Sequence, residues 1–233
     1  VVVSVDDSGT FFTVDRDPTA TNATVALTIG DTESRYTCNG TITSDQKPTE
    51  ILQDLAGAMA GHIVDTGGKW TIRGGAYRTP ALTLTDADLS GSFSVQPRQS
   101  RQDTFNGVKG VFISPANDWA PADFPAVKND TYMADDGGLR LWRDVQYNFT
   151  TSPAMAQRLA KIELERGRQQ ITCTGTYMLK AMQCMPGDVI AITRARLGWS
   201  SKYFEVIEWT FQQTGDALAV VLSLRETASG VWD

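Results

Sequence analysis

Residues 203–212 and 217–224 are two β-forming runs that predict a long hairpin close to the C-terminus. The first reads Tyr-Phe-Glu-Val-Ile-Glu-Trp-Thr-Phe-Gln, the second is almost continuously apolar, and residues 214–216 between them form a turn sequence. Threonine supplies 27 of the 233 residues, and its β-branched side chain favours strands over helices. Turn sequences at residues 136–138 and 186–188 also precede strand candidates. The chain is therefore predicted to be mainly β.

Two amphipathic segments predict helices, at residues 47–62 and 152–168. In the first, Pro48 suits the first turn, and apolar side chains recur every three or four residues at Ile51, Leu52, Leu55, Ala58, Met59 and Ile63. In the second, Thr151 or Ser152 can cap the N-terminus, and basic residues gather at the C-terminal end, where they oppose the helix dipole. Together with the strands they predict an α+β fold.

A domain boundary is predicted between residues 80 and 92, where a polar turn or single helical turn follows Thr79-Pro80. Residues 1–88 would form a small α+β unit that holds the first helix. Residues 89–233 would form a β-barrel or sandwich with the second helix packed on it. The proline-containing interval 114–127 is a poor strand candidate and is predicted to be an extended surface segment.

The charge and the histidine count exclude several classes of function. With 27 acidic and 21 basic residues, the net charge is -6 and the pI about 4.8. A chain of this charge is a poor candidate for binding duplex DNA, which requires clustered Lys and Arg. His62 is the single histidine, so sites that need two histidines, such as HExxH zinc proteases, are excluded.

The cysteines and the hydropathy pattern exclude further classes of protein. Cys38, Cys173 and Cys184 are odd in number, far apart and without CxxC spacing, so we expect them to be reduced and to form neither a disulfide framework nor a zinc ribbon. No apolar run approaches the roughly 18 residues of a membrane span. The chain opens within an apolar run and without Met, from which we expect a piece of a longer polypeptide, although terminal processing would look the same.

Candidate catalytic groups all have a structural interpretation in the sequence. His62 is predicted at the end of the first helix, where an imidazolium would oppose the dipole. A glycosidase would need paired carboxylates. The candidate pairs in the sequence are Asp6 with Asp7, Asp86 with Asp88, and Asp135 with Asp136. The last pair precedes two glycines and predicts a turn, and Asp86 with Asp88 predicts the N-terminal charges of a short helix. We therefore predict no catalytic, cofactor-binding or metal-binding residues.

Three further patterns leave alternatives open. The polar segment 96–103 carries two arginines and would be either a solvated loop or a contact for phosphate or an acidic partner. Four N-x-T triplets begin at Asn22, Asn39, Asn129 and Asn148 and would be glycosylated in a secreted eukaryotic protein, a reading opposed by the odd cysteine count. Six tryptophans, spread from Trp70 to Trp232, are either interface anchors or packing residues.

An ordered set of short strings covers nearly the whole chain and resembles one family. In chain order these are residues 35–40, 51–61, 68–70, 75–77, 82–89, 97–101, 105–110, 115–117, 123–127, 136–138, 149–152, 156–161, 186–188, 198–199 and 202. The set resembles the tail tip attachment proteins of lambda-like phages with long non-contractile tails, also called J or host specificity proteins. Each string is a turn or helix fragment, so the order carries the resemblance.

The resemblance implies a segment of a tail hub. Such hubs are β-rich, with a tail-tube-like barrel and flanking helix, and assemble as trimers around the tail axis. The implied location is the virion, after synthesis in the bacterial host cytoplasm, and the implied partners are further copies and other tail proteins. Ejected DNA would pass through the lumen without specific binding, and an acidic or neutral wall would avoid retarding it. No catalytic residue is carried over, no cofactor is implied, and no membrane insertion is expected.

The alternative function is a carbohydrate-binding or glycoside-hydrolysing tail-associated module. It predicts either two carboxyl groups in an exposed cleft, roughly 5–10 Å apart, or several solvent-facing tryptophans in a row.

Overall fold

The computed structural model describes residues 3–5, 11–14, 25–28, 34–42, 46–66, 68–214 and 217–232. The chain divides into two compact units, Val1–Arg35 and Tyr36–Asp233. The first unit contains an antiparallel sheet of β1 (Val3–Val5), β2 (Phe11–Val14) and β3 (Val25–Thr28), in the order β1-β2-β3. The carboxylate pair Asp6 with Asp7 and the triplet at Asn22 lie outside the described residues.

The second unit contains all described helices and the remaining strands. Its helices are α1 (Pro48–Ala58), α2 (Asp130–Asp135) and α3 (Pro153–Arg168). Its strands are β4 (His62–Thr66), β5 (Lys69–Arg73), β6 (Leu82–Thr85), β7 (Leu89–Gln96), β8 (Gly107–Ser114), β9 (Ala120–Asp123), β10 (Val127–Lys128), β11 (Trp142–Tyr147), β12 (Thr172–Tyr177), β13 (Val189–Arg194), β14 (Trp199–Thr214) and β15 (Ala217–Glu226). Short 3₁₀ helices occupy Asp86–Asp88, Pro115–Asn117, Leu179–Gln183, Ala195–Leu197 and Ser229–Val231.

The predicted hairpin forms the centre of a six-stranded sheet with the order β6-β13-β14-β15-β12-β7. Strands β14 and β15 pair antiparallel from Phe204 with Glu226 to Thr214 with Ala217. The neighbouring strands are also antiparallel, except that β6 runs parallel to β13. The prediction of a long hairpin in a mainly β chain is confirmed.

This sheet is strongly curled. Strands β6 and β7 stand at opposite ends of the pairing order, yet only Asp86–Asp88 separates them in the chain. Five strand spacings of about 4.8 Å exceed the reach of three residues, so a flat sheet could not accommodate this connection. In agreement, the Phe93 ring of β7 lies 6.2 Å from the Trp199 ring of β14. The α+β fold class, with a barrel-like sheet and a flanking helix, is confirmed.

The inner face of the curled sheet encloses the main hydrophobic core. Alternate residues of its strands are fully buried there, including Leu84, Tyr177, Ile190, Ile192, Phe204, Val206, Val220, Leu222 and Leu224. Burial of each such aliphatic side chain contributes about 1.5–3 kcal/mol. The two buried thiols, Cys173 and Cys184, lie in the same cluster, whereas Cys38 is exposed, and all three are free. The alternation of apolar and polar residues therefore decides which face of the sheet turns inward.

Helix α3 packs on a second sheet, in which β8 pairs with β10 and β9 on one side and with β11 in parallel on the other. The Ser152 hydroxyl accepts a hydrogen bond from the Met155 amide at 3.3 Å, which caps the helix as predicted. Ala156, Ala160 and Leu164 of α3 share a buried cluster with Phe112 of β8. The predicted helix 152–168 is confirmed.

The first helix is shorter than predicted, and His62 does not lie at its end. Helix α1 stops at Ala58, Ala60 adopts a left-handed φ of 46°, and His62 begins strand β4. Gly61 permits the turn, because a Cβ there would lie 2.1 Å from the Arg73 carbonyl oxygen. The assignment of His62 to a helix C-terminus was wrong, since the helical spacing of apolar residues continues into a strand.

Two elements were not anticipated. Helix α2 begins after Asn129, whose side-chain oxygen accepts hydrogen bonds from the Thr131 and Tyr132 amides at 2.9 and 3.2 Å. Strand β9 lies in the interval predicted to be an extended segment, and Pro121 is tolerated there because β9 is an edge strand of its sheet. The division into 1–88 and 89–233 stays a prediction, although strands on both sides of residue 88 belong to the curled sheet.

Candidate functional site

One polar cluster surrounds His62, at the start of β4. Its Nδ1 atom lies 3.7 Å from Glu205 Oε1, and the other Glu205 oxygen accepts a hydrogen bond from Arg166 Nη2 at 3.3 Å. Next to it, Arg73 donates to Asp188 at 2.5 Å. The cluster ties the β4–β5 hairpin and helix α3 to strand β14. Glu205 stands in the apolar run of β14, and a single buried acid in such a run was the signal that sequence reasoning missed.

The geometry around His62 does not suit a catalytic base. A Cβ on Gly187 would lie 2.2 Å from His62 Nε2, so this nitrogen faces backbone rather than open space. Burial lowers the pKa of His62 below its ordinary value, while the Glu205 carboxylate acts in the opposite direction. Nearby arginines lower the pKa further, namely Arg166, Arg73 and Arg78. The imidazole is thus held neutral in a structural contact.

An apolar groove of about 510 Å³ lies between α1 and α3, above this cluster. Leu52 and Ala56 line it from α1, and Leu159 and Ile162 line it from α3. Trp70 of the β4–β5 hairpin is 61% exposed and forms part of its wall. The groove has the size and apolar lining of a binding site, but its charged groups, Glu163 and Arg166, already form ion pairs within the chain.

The carboxylates Asp135 and Asp136 close helix α2 as structural groups. Asp136 accepts two hydrogen bonds from Arg168, at 2.6 and 3.1 Å, and one from Asn106 at 2.8 Å. The Arg168 hydrogen bonds hold the pKa of Asp136 below its ordinary value, although burial acts to raise it. Gly137 and Gly138 follow with left-handed φ angles of 79° and 78°, which confirms the predicted turn.

Asp86 and Asp88 also have structural partners. They lie in the 3₁₀ helix between β6 and β7, where Asp88 accepts hydrogen bonds from the Thr85 amide and hydroxyl. Arg194 pairs with Asp86 at 2.8 Å and Lys180 with Asp88 at 3.0 Å. Burial acts to raise the pKa of Asp88, but the hydrogen bonds from Thr85 and Lys180 leave it lowered. The prediction that these acids mark a short helix is confirmed.

Arginines and acids meet beside the polar loop 96–103. Arg98 and Arg101 line an open polar cavity of about 780 Å³ together with Asp135 and Asp136. Asp136 is already engaged by Arg168, and a carboxylate whose pKa is lowered is unsuited to the role of general acid. The negative charges of these acids also reduce the attraction of the cavity for phosphate. The charge of the cavity therefore favours the interpretation of segment 96–103 as a solvated loop.

The amides of the described N-x-T triplets form internal hydrogen bonds. Asn39 donates to the Thr151 hydroxyl at 3.1 Å, and Asn148 donates to Asp54 at 3.0 Å. Asn129 caps α2. These side chains therefore contribute to the fold.

The tryptophans divide between core and surface. Trp199 and Trp209 pack against the core of the curled sheet. Trp70, Trp119 and Trp142 are exposed, but they belong to different elements: the β4–β5 hairpin, the segment after a 3₁₀ helix and the start of β11. These exposed rings therefore stand on separate elements of the fold.

Metal-ligating side chains are dispersed in the part of the chain that the structure describes. Among those residues, no three His, Cys, Asp or Glu side chains converge on a common metal position. The helices of the described ranges are also too short or too polar to span a bilayer.

Solved structures with the same fold include tail proteins and a chain of a virion particle. The chain has a TM-score of 0.67 and 17% identity to a chain in the virion of a native gene transfer agent particle, covering 83% of this chain and 42% of that one. It has a TM-score of 0.54 and 19% identity to the tail protein of Neisseria meningitidis MC58, covering 79% and 54%. It has a TM-score of 0.50 and 18% identity to the 43 kDa tail protein of prophage MuSo2 from Shewanella oneidensis, covering 78% of this chain and 54% of that one.

The fold is thus the one found in tail proteins of phages and prophages, and the chain spans about half the length of these neighbours. Residues 47–206 match the model of the family described as "Putative phage tail protein". The chain belongs to that family, whose members are structural components of phage and prophage tails. No curated protein matches the sequence.

Proposed function

We propose that this chain is part of the tail tip or baseplate hub, joins the tail tube to the tip, and takes part in host attachment and DNA delivery. The family match over residues 47–206 carries the proposal. The curled sheet with α3 beside it supports the hub assignment, because the resemblance to J proteins implies a barrel with a flanking helix. In this proposal the chain is made in the host cytoplasm, acts without enzymatic activity and assembles as a trimer around the tail axis.

The contact of α3 with the curled sheet explains how such a subunit could remain rigid. Arg166 near the end of α3 binds Glu205 of β14, and its carbonyl oxygen accepts a hydrogen bond from Arg225 of β15 at 3.1 Å. Charged hydrogen bonds of this kind, half-removed from water, are stronger than exposed ones. The helix is therefore fixed to both central strands, as a load-transmitting scaffold requires.

The outer face of β7 and β12 is a candidate for the surface along which DNA passes. Ser92, Ser94 and Gln96 of β7 are exposed, as is Thr174 of β12, which pairs with Ser94. These side chains carry no positive charge, so they would not bind phosphates by counterion release. Phage particles whose chain carries Ser92→Lys and Ser94→Lys should adsorb normally but eject DNA more slowly, whereas particles with Ser92→Asp and Ser94→Asp should eject DNA at the parental rate. Equal rates for both variants would contradict this placement.

Immunogold labelling and copy counting test the hub proposal. Particles purified from the source phage or induced prophage should be labelled at the tail tip and should contain about three copies of the chain by quantitative mass spectrometry. Deletion of the gene should give particles without a functional tip. Labelling along the whole tail shaft, or normal infectious particles after deletion, would refute the proposal.

A further inference from the structure

Two of the six asparagines precede a glycine, at Asn39-Gly40 and Asn106-Gly107. Such a dipeptide can deamidate without an enzyme, because glycine has no Cβ to shield its backbone nitrogen and lets the chain fold back on the asparagine side chain. The other four asparagines precede Ala, Asp, Asp and Phe, whose side chains hinder this approach. The sequence therefore contains two reactive positions, and the surroundings of each decide whether it reacts in the folded chain.

The reaction needs only water and proceeds in two steps. In the first, the glycine nitrogen attacks Cγ of the asparagine, so that the N–Cγ bond forms, the Cγ–Nδ2 bond breaks, and the glycine amide proton leaves with Nδ2 as ammonia. In the second, water opens the resulting succinimide ring at either carbonyl and gives aspartate or isoaspartate. The asparagine side chain must therefore rotate towards the next backbone nitrogen, and that nitrogen must be free to attack.

The dipeptide Asn106-Gly107 is held against this reaction. Asn106 is fully buried, and its Nδ2 atom donates to Asp136 Oδ2 and to the Leu139 carbonyl, each at 2.8 Å. Its Oδ1 atom accepts from the Leu141 amide at 3.0 Å. The attacking nitrogen is engaged as well, because the Gly107 amide donates to the Leu141 carbonyl at 3.1 Å. Deamidation of Asn106 therefore requires a local opening that breaks all of these hydrogen bonds.

The dipeptide Asn39-Gly40 lies in a different environment. Both residues are exposed and lie outside the helices and strands. In the part of the chain that the structure describes, the Asn39 side chain makes a single hydrogen bond, to the Thr151 hydroxyl at 3.1 Å. Among the same residues, the Gly40 amide donates to no backbone carbonyl. The side chain can leave Thr151 at little cost, because water replaces an exposed hydrogen bond.

Contacts with Phe149 act against the reaction at Asn39, but they are fewer than those around Asn106. The Asn39 backbone amide donates to the Phe149 carbonyl at 3.0 Å. The buried Phe149 ring also packs on Gly40, where a Cβ would lie 2.4 Å from Cδ1 of the ring. Opening at Asn106 breaks at least two more hydrogen bonds and exposes a buried side chain, so Asn39 should react at least about tenfold faster.

We propose that Asn39 is a site of spontaneous deamidation in the folded chain and that Asn106 is protected from it. A component of an assembled tail is not replaced by new synthesis, so the modified form accumulates as the particle ages. The aspartate product keeps its contact, because the Thr151 hydroxyl can donate to the new carboxylate. The isoaspartate product adds a methylene group to the main chain before Gly40 and so displaces Gly40 from the Phe149 ring.

The test incubates the native full-length protein at neutral pH and follows both dipeptides by peptide mapping with mass spectrometry. The Asn39 peptide should gain the mass of an amide-to-acid exchange at least about tenfold faster than the Asn106 peptide. Isoaspartyl methyltransferase with a labelled methyl donor should mark the Asn39 peptide. The matched control is the same protein unfolded in guanidinium chloride, in which the two dipeptides should react at similar rates because neither is held by the fold.

Two results in the native protein would overturn the proposal: equal rates at Asn39 and Asn106, or an Asn39 peptide that reacts only after unfolding. The variant Asn39→Gln adds a second readout, because glutamine would have to close a larger and slower-forming ring. It should remove the methyl label from this peptide without changing the rate at Asn106. A label that persists on the peptide of this variant would show that Asn39 is not its source.

Discussion

The ion pair between Asp136 and Arg168 offers the sharpest test of how the second unit is held together. Their side chains are only 13% and 12% exposed, and the carboxylate also accepts from Asn106 at the start of β8. Changing Asp136 to Asn removes the charge and turns one acceptor oxygen into an NH₂ group facing the donors of Arg168 or Asn106. The Arg168 charge would then remain buried without its partner.

Breaking a buried ion pair from one side costs about 3–5 kcal/mol. Arg168 keeps a hydrogen bond to the Tyr132 carbonyl at 3.1 Å and its position 4.5 Å over the Tyr132 ring, so we expect a loss near the lower limit, about 3 kcal/mol. For a chain of this size, 1 kcal/mol corresponds to roughly 2–4 °C. The melting temperature should therefore fall by about 6–12 °C, measured by calorimetry and by urea unfolding followed by circular dichroism.

The neighbouring acid provides the control. Asp135 is exposed, and Asp135→Asn should change stability by less than about 0.5 kcal/mol. Because the pKa of Asp136 is lowered from 3.8, its contribution is complete above that pH and is lost as the pH falls through the folded-state value. The difference in the free energy of unfolding between the parent and Asp136→Asn should therefore become smaller at acidic pH. If both Asn variants unfold alike at neutral pH, the ion pair of Asp136 with Arg168 does not stabilise the fold.

Three further outcomes are expected. Because the pKa of His62 is lowered, protonation favours the unfolded state, so acidification from pH 7 to 5 should destabilise the parent more than His62→Gln in urea titrations. Gly110→Ala should destabilise by at least about 1–3 kcal/mol, since its Cβ would lie 1.8 Å from a β11 carbonyl oxygen, whereas Gly57→Ala, in open space within α1, should stabilise by about 0.5–1 kcal/mol. In thiol labelling of the native protein, exposed Cys38 should react fast and the two buried thiols, whose pKa burial raises to about 12 and about 11, should react only on unfolding.

Each of these measurements has a result that contradicts it. If the stability of the parent and of His62→Gln depends on pH in the same way, protonation of His62 does not destabilise the folded state. Similar stabilities of the two alanine variants would mean that β8 and β11 separate without cost. Rapid labelling of all three thiols in the native state would be incompatible with Cys173 and Cys184 in the core.

The strand and helix patterns predicted local elements well where one periodicity dominated. The hairpin of β14 and β15 and the capped helix α3 followed from β-branched runs and from the Ser152-Pro153 start. The first helix was overextended because the i, i+3, i+4 spacing continues through Ile63, and a single glycine ends the helix by letting the backbone approach Arg73. Helix α2 was missed because six residues give too little periodicity to detect.

For the candidate sites, too, local sequence predicted one part and long-range contacts determined the rest. The sequence was sufficient to interpret Asp86, Asp88, Asp135 and Asp136 as structural, because each stands beside turn or capping residues. It could not supply the partners Arg194, Lys180 and Arg168, which come from strands and helices far along the chain. Nor could it indicate the exposure of Phe211, which depends on where the neighbouring strands stop.

By itself, the sequence determined the β-rich character, the inward-facing alternation of the strands, the two long helices and the absence of any two-histidine site, because these follow from residue type and spacing. Only the tertiary structure decided that the sheet curls so that Asp86–Asp88 can connect its end strands β6 and β7, that His62 meets Glu205, and that β14 and β15 extend beyond their neighbours. Those features arise from long-range pairing, whose register depends on how all strands share one core. Local periodicity contains no information on where that pairing ends.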